Sequence, residues 1–205
     1  MAKQVKEKKR SQWGETWKRL RRNKLAIIGM SIVIVLIVVT IFADFIAPYD
    51  YALQDPTARL QFPSLAHLLG TDNYGRDLLS RIIYGGRISL LVALMAVAIA
   101  LVVGGFLGAT SGYFGGWYEV VVMRLMDILM AIPGILMAVS ISAALGSGVF
   151  NTALAISVGG IPSYARIVRA TVMSIRGQEY VEAAKALGCG HMRIIFRQIL
   201  PNTLA

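Results

Sequence analysis

The sequence is poor in charged residues, in cysteine and in histidine. Only 16% of its 205 residues are Asp, Glu, Lys or Arg, whereas 56% are hydrophobic. A soluble domain of this length carries about 25% charged residues. The single cysteine, Cys189, excludes an internal disulfide. His67 and His191 lie far apart, with no cysteine or paired carboxylate at ligand spacing, so we expect no metal site. These scarcities favour a membrane protein over a soluble globular protein.

Catalytic motifs are also missing from the sequence. There are no paired carboxylates, no Ser/His/Asp set and no phosphate-binding glycine loop with a following Lys and Ser or Thr. We therefore expect no catalytic residue, no enzyme activity and no bound cofactor in this chain. If ATP drives the protein, the nucleotide is expected to bind to a partner chain.

The basic residues are concentrated at the N-terminus, where residues 1–24 hold ten Lys or Arg against two Glu. Such a run can bind nucleic acid, but no helix-turn-helix, zinc or stacking-aromatic pattern follows it, so we expect no nucleic-acid partner. Instead it precedes the 19 uncharged residues Leu25–Ala43. As a helix these would extend about 28 Å, close to the thickness of a bilayer core. We interpret them as a retained transmembrane helix in contact with lipid.

Three further transmembrane helices are predicted. Ile88–Thr110 carries no charge, and the apolar region Tyr118–Met173 is too long for one crossing and is divided at Leu145–Phe150. The distribution of Lys and Arg places the N-terminus in the cytoplasm and returns the chain there after four crossings. The predicted organisation is a basic cytoplasmic segment (1–24), a first transmembrane helix (25–47), an extracytoplasmic loop with an amphipathic helix (48–87) and a membrane core (88–205) with three helices and a cytoplasmic elbow (178–202).

The extracytoplasmic loop contains apolar residues at helical spacing after position 77. Thr71 or Asp72 is expected to cap this helix, and Gly85–Gly86 to end it. We favour an interfacial helix that leads into the second span. The alternative is an outward-facing surface for a partner.

Small and charged residues mark the predicted membrane helices. Gly104, Gly108 and Gly112 recur every fourth residue, which allows close helix packing on one face. Arg124 and Asp127 are three residues apart and are expected to form an intramembrane pair. Pro133–Gly134 should kink the third span.

The elbow is the most amphipathic segment of the second half. Its first helix has Tyr180, Val181, Ala184 and Leu187 on one face, and Gly188 and Gly190 then turn the chain. A second helix is expected to present Met192, Ile195, Phe196, Ile199 and Leu200 to the apolar side. A membrane-surface helix is one interpretation. The small residues of the first helix favour docking into a groove on a partner.

Several segments resemble the second permease subunit of dipeptide/oligopeptide ABC importers. "EYVEAAKALGCGHMRIIFRQILPN" resembles the EAA loop of these permeases, and "FADFIAPYD", "HLLGTDNYGRDLLSRIIYGGRISLLV", "GYFGGW" and "MRLMDILMAIP" match their other segments. The resemblance extends over nearly the whole chain from about Ser11. It implies an all-α membrane protein with the type I ABC importer fold, in which four of an expected six helices are present because family members continue with two more spans.

The resemblance also implies partners and a mechanism. The partners are a homologous permease, two cytoplasmic ATPases that bind ATP and Mg, and an extracytoplasmic solute-binding protein, assembled in the bacterial plasma (inner) membrane. The elbow would be the coupling helix that carries ATPase closure to the membrane helices during alternating access. The residues expected at the ATPase contact are Tyr180, Glu182, Ala183, Ala184, Lys185 and Gly188.

Other functions remain open from the sequence. Nickel-importer permeases share the same pattern, and no residue identifies the substrate. A membrane scaffold with a lipid-binding basic tail and a channel-like pore are alternatives from other classes. The pore is disfavoured because the charges assigned to the membrane interior are limited to Arg124 and Asp127, which argues against a charged pore lining.

Overall fold

The computed structural model describes residues 20–204, which are largely helical. In this range no β-strand forms, and the only extended pairing is a single bridge between Thr71 and Asp77. The all-α fold class expected from the sequence is therefore confirmed. Residues 1–19, which hold most of the predicted basic segment, lie outside the described residues.

The helices with both ends in the described range are α1 (Lys24–Ile41), α2 (Ala43–Ile46), α3 (Leu78–Phe114), α4 (Gly116–Ala131), α5 (Gly134–Leu145), α6 (Val149–Ile175), α7 (Glu179–Ala186) and α8 (His191–Ile194). A 3-10 turn occupies Pro56–Ala58, and α8 is followed by a π-helical turn, Ile195–Ile199, and a 3-10 turn, Leu200–Leu204. The chain divides into two compact units, of which the first ends at Arg87 and the second begins at Ile88.

Among residues 20–204, α1 and α3 are the two helices long and apolar enough to cross a membrane. The pair α4 and α5 makes a third span if it is counted as one, although its two helices are bent by 91°. The 27-residue helix α6 does not meet the same criterion of length and composition, so the fourth predicted span stays a prediction. Asn23 begins α1, since its side chain accepts hydrogen bonds from the amides of Leu25 and Ala26.

The predicted kink at Pro133 is a complete break between α4 and α5. Ile132 has an extended backbone (φ −90°, ψ 127°), as expected for a residue before proline, where the helical region is sterically disfavoured. The predicted division near Leu145–Phe150 is present as well. There α5 ends at Leu145 and α6 begins at Val149, with Gly146 in a left-handed conformation (φ 80°).

In the first unit, the start and length of α3 differ from the prediction. Asp77 caps the helix, not Thr71 or Asp72, because its carboxylate accepts hydrogen bonds from the Ser80 amide and hydroxyl, each at 2.8 Å. The expected end at Gly85–Gly86 is wrong, since α3 continues to Phe114. Gly86 instead permits close packing, because a Cβ there would lie 2.5 Å from the Thr40 side chain.

Asp72 organises the loop that precedes α3. Its carboxylate accepts hydrogen bonds from the amides of Tyr74 (2.8 Å) and Arg76 (3.0 Å). It also forms ion pairs with the Arg76 and Arg81 side chains. Burial alone would raise the pKa of Asp72. The hydrogen bonds from the Arg76 and Tyr74 amides, with the Arg76 side chain, outweigh burial and lower the pKa to about 2. The loop is therefore held together around the ionised carboxylate of Asp72.

Within the first unit, Arg87 contacts the end of α1. Its guanidinium donates to the carbonyl oxygens of Thr40 (2.7 Å) and Ile41 (2.8 Å) at the end of α1, and to the Asp44 carboxylate at 2.8 Å. The last four carbonyls of a helix lack intrahelical partners, and a cation is favourable there. Arg87 thus serves as a C-terminal cap for α1.

The core of the second unit lies where α3, α6 and the elbow meet. Nine buried residues form it: Ala109, Tyr113, Val172, Ile175, Val181, Ala184, Ile194, Ile195 and Ile199. Because five of the nine belong to the elbow, this segment is an integral part of the core and not a loose surface appendage.

Candidate functional site

The elbow turns at Gly188 through a Schellman motif. The Cys189 amide donates to the Ala184 carbonyl (3.1 Å) and the Gly188 amide to the Lys185 carbonyl (2.9 Å), which satisfies two free carbonyls at the end of α7. This closure needs a left-handed residue, and Gly188 has φ 76°. No atom lies within 4 Å of a Cβ built on Gly188, so the glycine is required for conformation and leaves the outside of the turn open.

The inner face of the elbow is apolar and differs in part from the prediction. Val181 is fully buried and Ala184 is 7% exposed, whereas Leu187, which the pattern placed beside them, is 84% exposed at the turn. In the second half, Ile194, Ile195 and Ile199 are fully buried, but Met192 and Phe196 are about half exposed. Met192 precedes the π-helical turn at Ile195–Ile199, whereas Phe196 lies within that turn, where the side-chain spacing departs from that of an α-helix.

An aromatic contact fastens the elbow to the end of α3. The Tyr113 hydroxyl and His191 Nδ1 are 3.0 Å apart, and the Lys185 ammonium lies 5.4 Å from the centre of the Tyr113 ring. Phe114 and His191 also meet edge to face, with ring centres 5.6 Å apart. His191 therefore connects α8 to α3.

The outer face of α7 is small and charged. Glu182, Ala183, Lys185 and Gly188, four of the six residues expected at a partner contact, are exposed. Ala184 instead packs in the core, and Tyr180 packs against it from a half-buried position. The structure thus brings four of the predicted contact residues to one surface, and turns the other two inwards.

The Tyr180 hydroxyl is buried without a hydrogen-bond partner among the described residues. Leaving a buried hydroxyl unpaired costs about 1–3 kcal/mol. The rest of the Tyr180 ring packs on the elbow core. The side chain therefore combines favourable apolar packing with an unfavourable polar tip.

The three glycines of α3 lie against the backbone of α6. Each Cβ built at these positions would collide with a carbonyl oxygen of that helix: Gly104 with Ile161 (2.5 Å), Gly108 with Ala165 (closer still) and Gly112 with Arg169 (2.8 Å). Such direct backbone contact is the usual purpose of glycines spaced by four in membrane helices. The three glycines of α3 thus face three residues of α6 that are also spaced by four.

The two acidic residues of α4 both pair with arginines of α6. Asp127 accepts a hydrogen bond from the Arg166 guanidinium at 2.6 Å, whereas Arg124, its predicted partner, is 3.8 Å away with a side chain 77% exposed. Glu119 accepts from Arg169 Nε at 2.7 Å and from the terminal nitrogen of the same guanidinium. The carboxylate of Asp127 therefore contacts α6 more closely than its own helix.

An apolar groove of about 690 Å³ runs beside the elbow and is lined by Leu101, Val102, Val103, Gly105, Phe106, Leu107, Val168, Phe196 and Leu200. No lining side chain is polar, so the groove offers a polar solute no side-chain hydrogen bond. In the described part of the chain, no three His, Cys, Asp or Glu side chains gather at metal-binding distance.

Comparison with known families gives two matches. A family described as binding-protein-dependent transport system inner membrane component matches residues 100–205, and one described as the N-terminal transmembrane domain of oligopeptide transport permease C matches residues 11–63. The first match contains the glycine stripe, both ion pairs and the whole elbow.

Individual relatives agree with these families. The dipeptide transport system permease protein DppC of Alkalihalophilus pseudofirmus is 45% identical over 195 residues, which are 95% of this chain and 64% of that protein. The glutathione transport system permease proteins GsiD of Escherichia coli and Shigella boydii are each 41% identical over 197 residues, 96% of this chain and 65% of theirs. The chain thus spans slightly less than two thirds of the length of these relatives.

Proposed function

The chain belongs to the family of binding-protein-dependent transport system inner membrane components, and on this premise we propose that it is a membrane subunit of an ATP-binding-cassette importer. It is an integral membrane protein of a transport family rather than an enzyme family. Its partners are a homologous permease, two cytoplasmic ATPases that hold ATP and Mg, and an extracytoplasmic solute-binding protein. The N-terminus and the elbow face the cytoplasm of a bacterial plasma membrane.

The two-sided elbow is the observation that carries this proposal. Its inner face is fixed in the core by fully buried residues such as Val181 and Ile195, whereas Glu182, Lys185 and Gly188 are exposed on the outer face. A surface helix that only lay on lipid would expose its apolar side and not bury it. A short helix with small, charged outer residues instead fits a groove on a soluble partner.

We propose that this arrangement serves alternating access. Closure of the ATPase pair on ATP moves the docked elbow, and α3 and α6 must follow because the elbow shares their core. Movement of these helices opens the pathway outwards to receive solute from the binding protein. Hydrolysis and release of the nucleotide reverse the movement.

We further propose that the transported solute is a dipeptide or another short peptide. The relatives named for dipeptides and for glutathione support a peptide of this size. The apolar groove beside the elbow does not supply the recognition, because its lining lacks polar side chains. Specificity would then reside largely in the solute-binding protein.

Uptake of a radiolabelled dipeptide by cells that carry the complete importer tests the coupling role. Gly188→Asp and Glu182→Lys should each reduce uptake at least about tenfold and prevent co-purification of the ATPase, while membrane insertion stays normal. Gly177→Asp is the matched control, since Gly177 is exposed, has open space around it and precedes the elbow. Normal uptake and normal ATPase co-purification in both elbow variants would refute the docking role.

The substrate is tested separately on the solute-binding protein of the same importer. Calorimetric titration with dipeptides, tripeptides and Ni²⁺ should show binding of short peptides and not of nickel. Nickel binding without peptide binding would overturn the peptide assignment, and would leave the elbow result unaffected.

A further inference from the structure

We propose that Arg169 and Arg176 are positioning residues that fasten the corner between α3 and α4 to the end of α6, so that a displacement of the elbow moves all three helices as one body. The corner comprises Gly112–Glu119. The inference rests on the proposed coupling function and deepens it, because it names the residues that pass the movement beyond the elbow.

The corner is tight and is buried on the side of α3. α3 ends at Phe114 and α4 begins at Gly116, so only Gly115 separates them. Gly115 and Gly116 both have left-handed backbones, with φ 67° and 61°, which allow the sharp turn. Ser111, Gly112, Tyr113 and Gly115 are buried around it. A corner of this kind has little freedom of its own, and its position depends on what holds it.

Arg176 holds the corner from the end of α6. Its guanidinium donates to the Gly112 carbonyl oxygen at 2.9 Å. That carbonyl belongs to the last turn of α3, where intrahelical partners are lacking and a positive charge is favourable. Arg176 directly follows the last residue of α6 and lies three positions before α7 begins. A single side chain thus connects the segment between α6 and the elbow to the end of α3.

Arg169 holds the corner from two turns earlier. Its side chain pairs with Glu119 in the first turn of α4, and both side chains are largely buried, 30% and 16% exposed. Its backbone also contacts α3, because a Cβ at Gly112 would lie 2.8 Å from the Arg169 carbonyl oxygen. Three helices therefore meet at this one residue. A carboxylate in the first turn of α4 is further favoured by the helix dipole.

These contacts make the corner a fastening point and not only a packed surface. Apolar packing permits sliding, whereas hydrogen bonds from two guanidinium groups fix both distance and direction. The Asp127–Arg166 pair joins the same helices further along, but its side chains are about half exposed, so it holds them less firmly.

The test compares transport and ATP hydrolysis by the complete importer in proteoliposomes. Arg169→Gln, Glu119→Gln and Arg176→Gln should assemble and hydrolyse ATP, but uptake per ATP hydrolysed should fall by about tenfold, the factor that corresponds to roughly 1.4 kcal/mol. Arg169→Lys, which keeps the charge, should retain more of the ratio than Arg169→Gln. A role in folding alone would lower the yield of complex and leave the ratio unchanged.

A double-mutant cycle checks that Arg169 and Glu119 act through each other. The double variant with glutamine at both positions should be no worse than either single variant, because both remove the same interaction. Arg124→Gln, on an exposed side chain of α4, is the control and should change the ratio by less than about twofold. An unchanged ratio in the three single variants, or additive losses in the cycle, would overturn the proposal. If the elbow does not couple at all, Gly188→Asp would already leave uptake intact, so the two failures are distinguishable.

Discussion

Replacing Gly108 by alanine probes the direct contact between α3 and α6. A Cβ at this position would lie 3.0 Å from the Cα and the carbonyl carbon of Ala165, and closer still to its oxygen. These are backbone atoms inside a helix, so they cannot rotate away as a side chain would. Since carbon atoms pack at about 3.5 Å or more, the two helices would have to separate by at least about 0.5 Å.

That separation has a predictable cost. Overpacking of a close-packed contact costs about 1–3 kcal/mol. We therefore expect Gly108→Ala to lower the unfolding temperature of the detergent-purified importer complex. Gly112→Ala should have a smaller effect, because its nearest α6 atom is 2.8 Å away and the collision is milder.

Gly105 provides the matched control on the same helix. No atom lies within 4 Å of a Cβ at Gly105, so alanine there meets open space and should leave the unfolding temperature unchanged or raise it slightly, since alanine is the better helix former. If Gly108→Ala and Gly105→Ala unfold at the same temperature as the unmodified complex, close backbone packing along the glycine stripe is refuted.

Three further predictions concern polar contacts. The pKa of Asp72 is lowered from 3.8 to about 2, so its stabilisation of the loop is complete above about pH 4 and is lost as the pH falls through about 2. Amide protection of residues 60–76, measured by hydrogen exchange, should therefore persist down to pH 4 in the unmodified protein. In Asp72→Asn the same protection should be reduced already at about pH 5. Arg87→Gln should increase exchange in the last turn of α1, with no change in α6, because it removes the cap on the Thr40 and Ile41 carbonyls. Tyr113→Phe and Tyr180→Phe should shift the unfolding temperature in opposite directions, since the first loses a hydrogen bond worth about 1 kcal/mol and the second removes an unpaired hydroxyl; equal shifts would contradict both assignments.

Local chemistry was sufficient to predict the helix ends that depend on it. Gly146 and Gly148 separate α5 from α6, and Gly188 ends α7, because in each case the turn requires a backbone that other residues rarely adopt. Gly85 and Gly86 are also glycines, but α3 continues through them. Gly86 instead lies against the Thr40 side chain, a tertiary contact that no local pattern contains, and Gly85 faces open space.

The inner face of the elbow shows a second limit. A strict α-helical period placed Met192 and Phe196 inside, but both are about half exposed and Ile194 is fully buried. The π-helical turn changes the period for five residues. Ile194, Ile195 and Ile199 are all buried in the same core, and a strict α-helical period does not predict this set.

The arginines of α6 were visible in the sequence as a spacing but not as a function. Arg166, Arg169 and Arg176 are separated by three and seven residues, which places them on one side of a helix, and Glu119 and Asp127 are separated by eight, about two turns. This complementary spacing is the signal from which two ion pairs between α4 and α6 could have been predicted. The contact of Arg176 with a backbone carbonyl cannot be predicted from residue spacing. Every residue has a carbonyl, and only the tertiary arrangement places that of Gly112 beside Arg176. Side chains that bind backbone therefore have to be found in structures, and at this corner one of them, Arg176, joins the end of α6 to the end of α3.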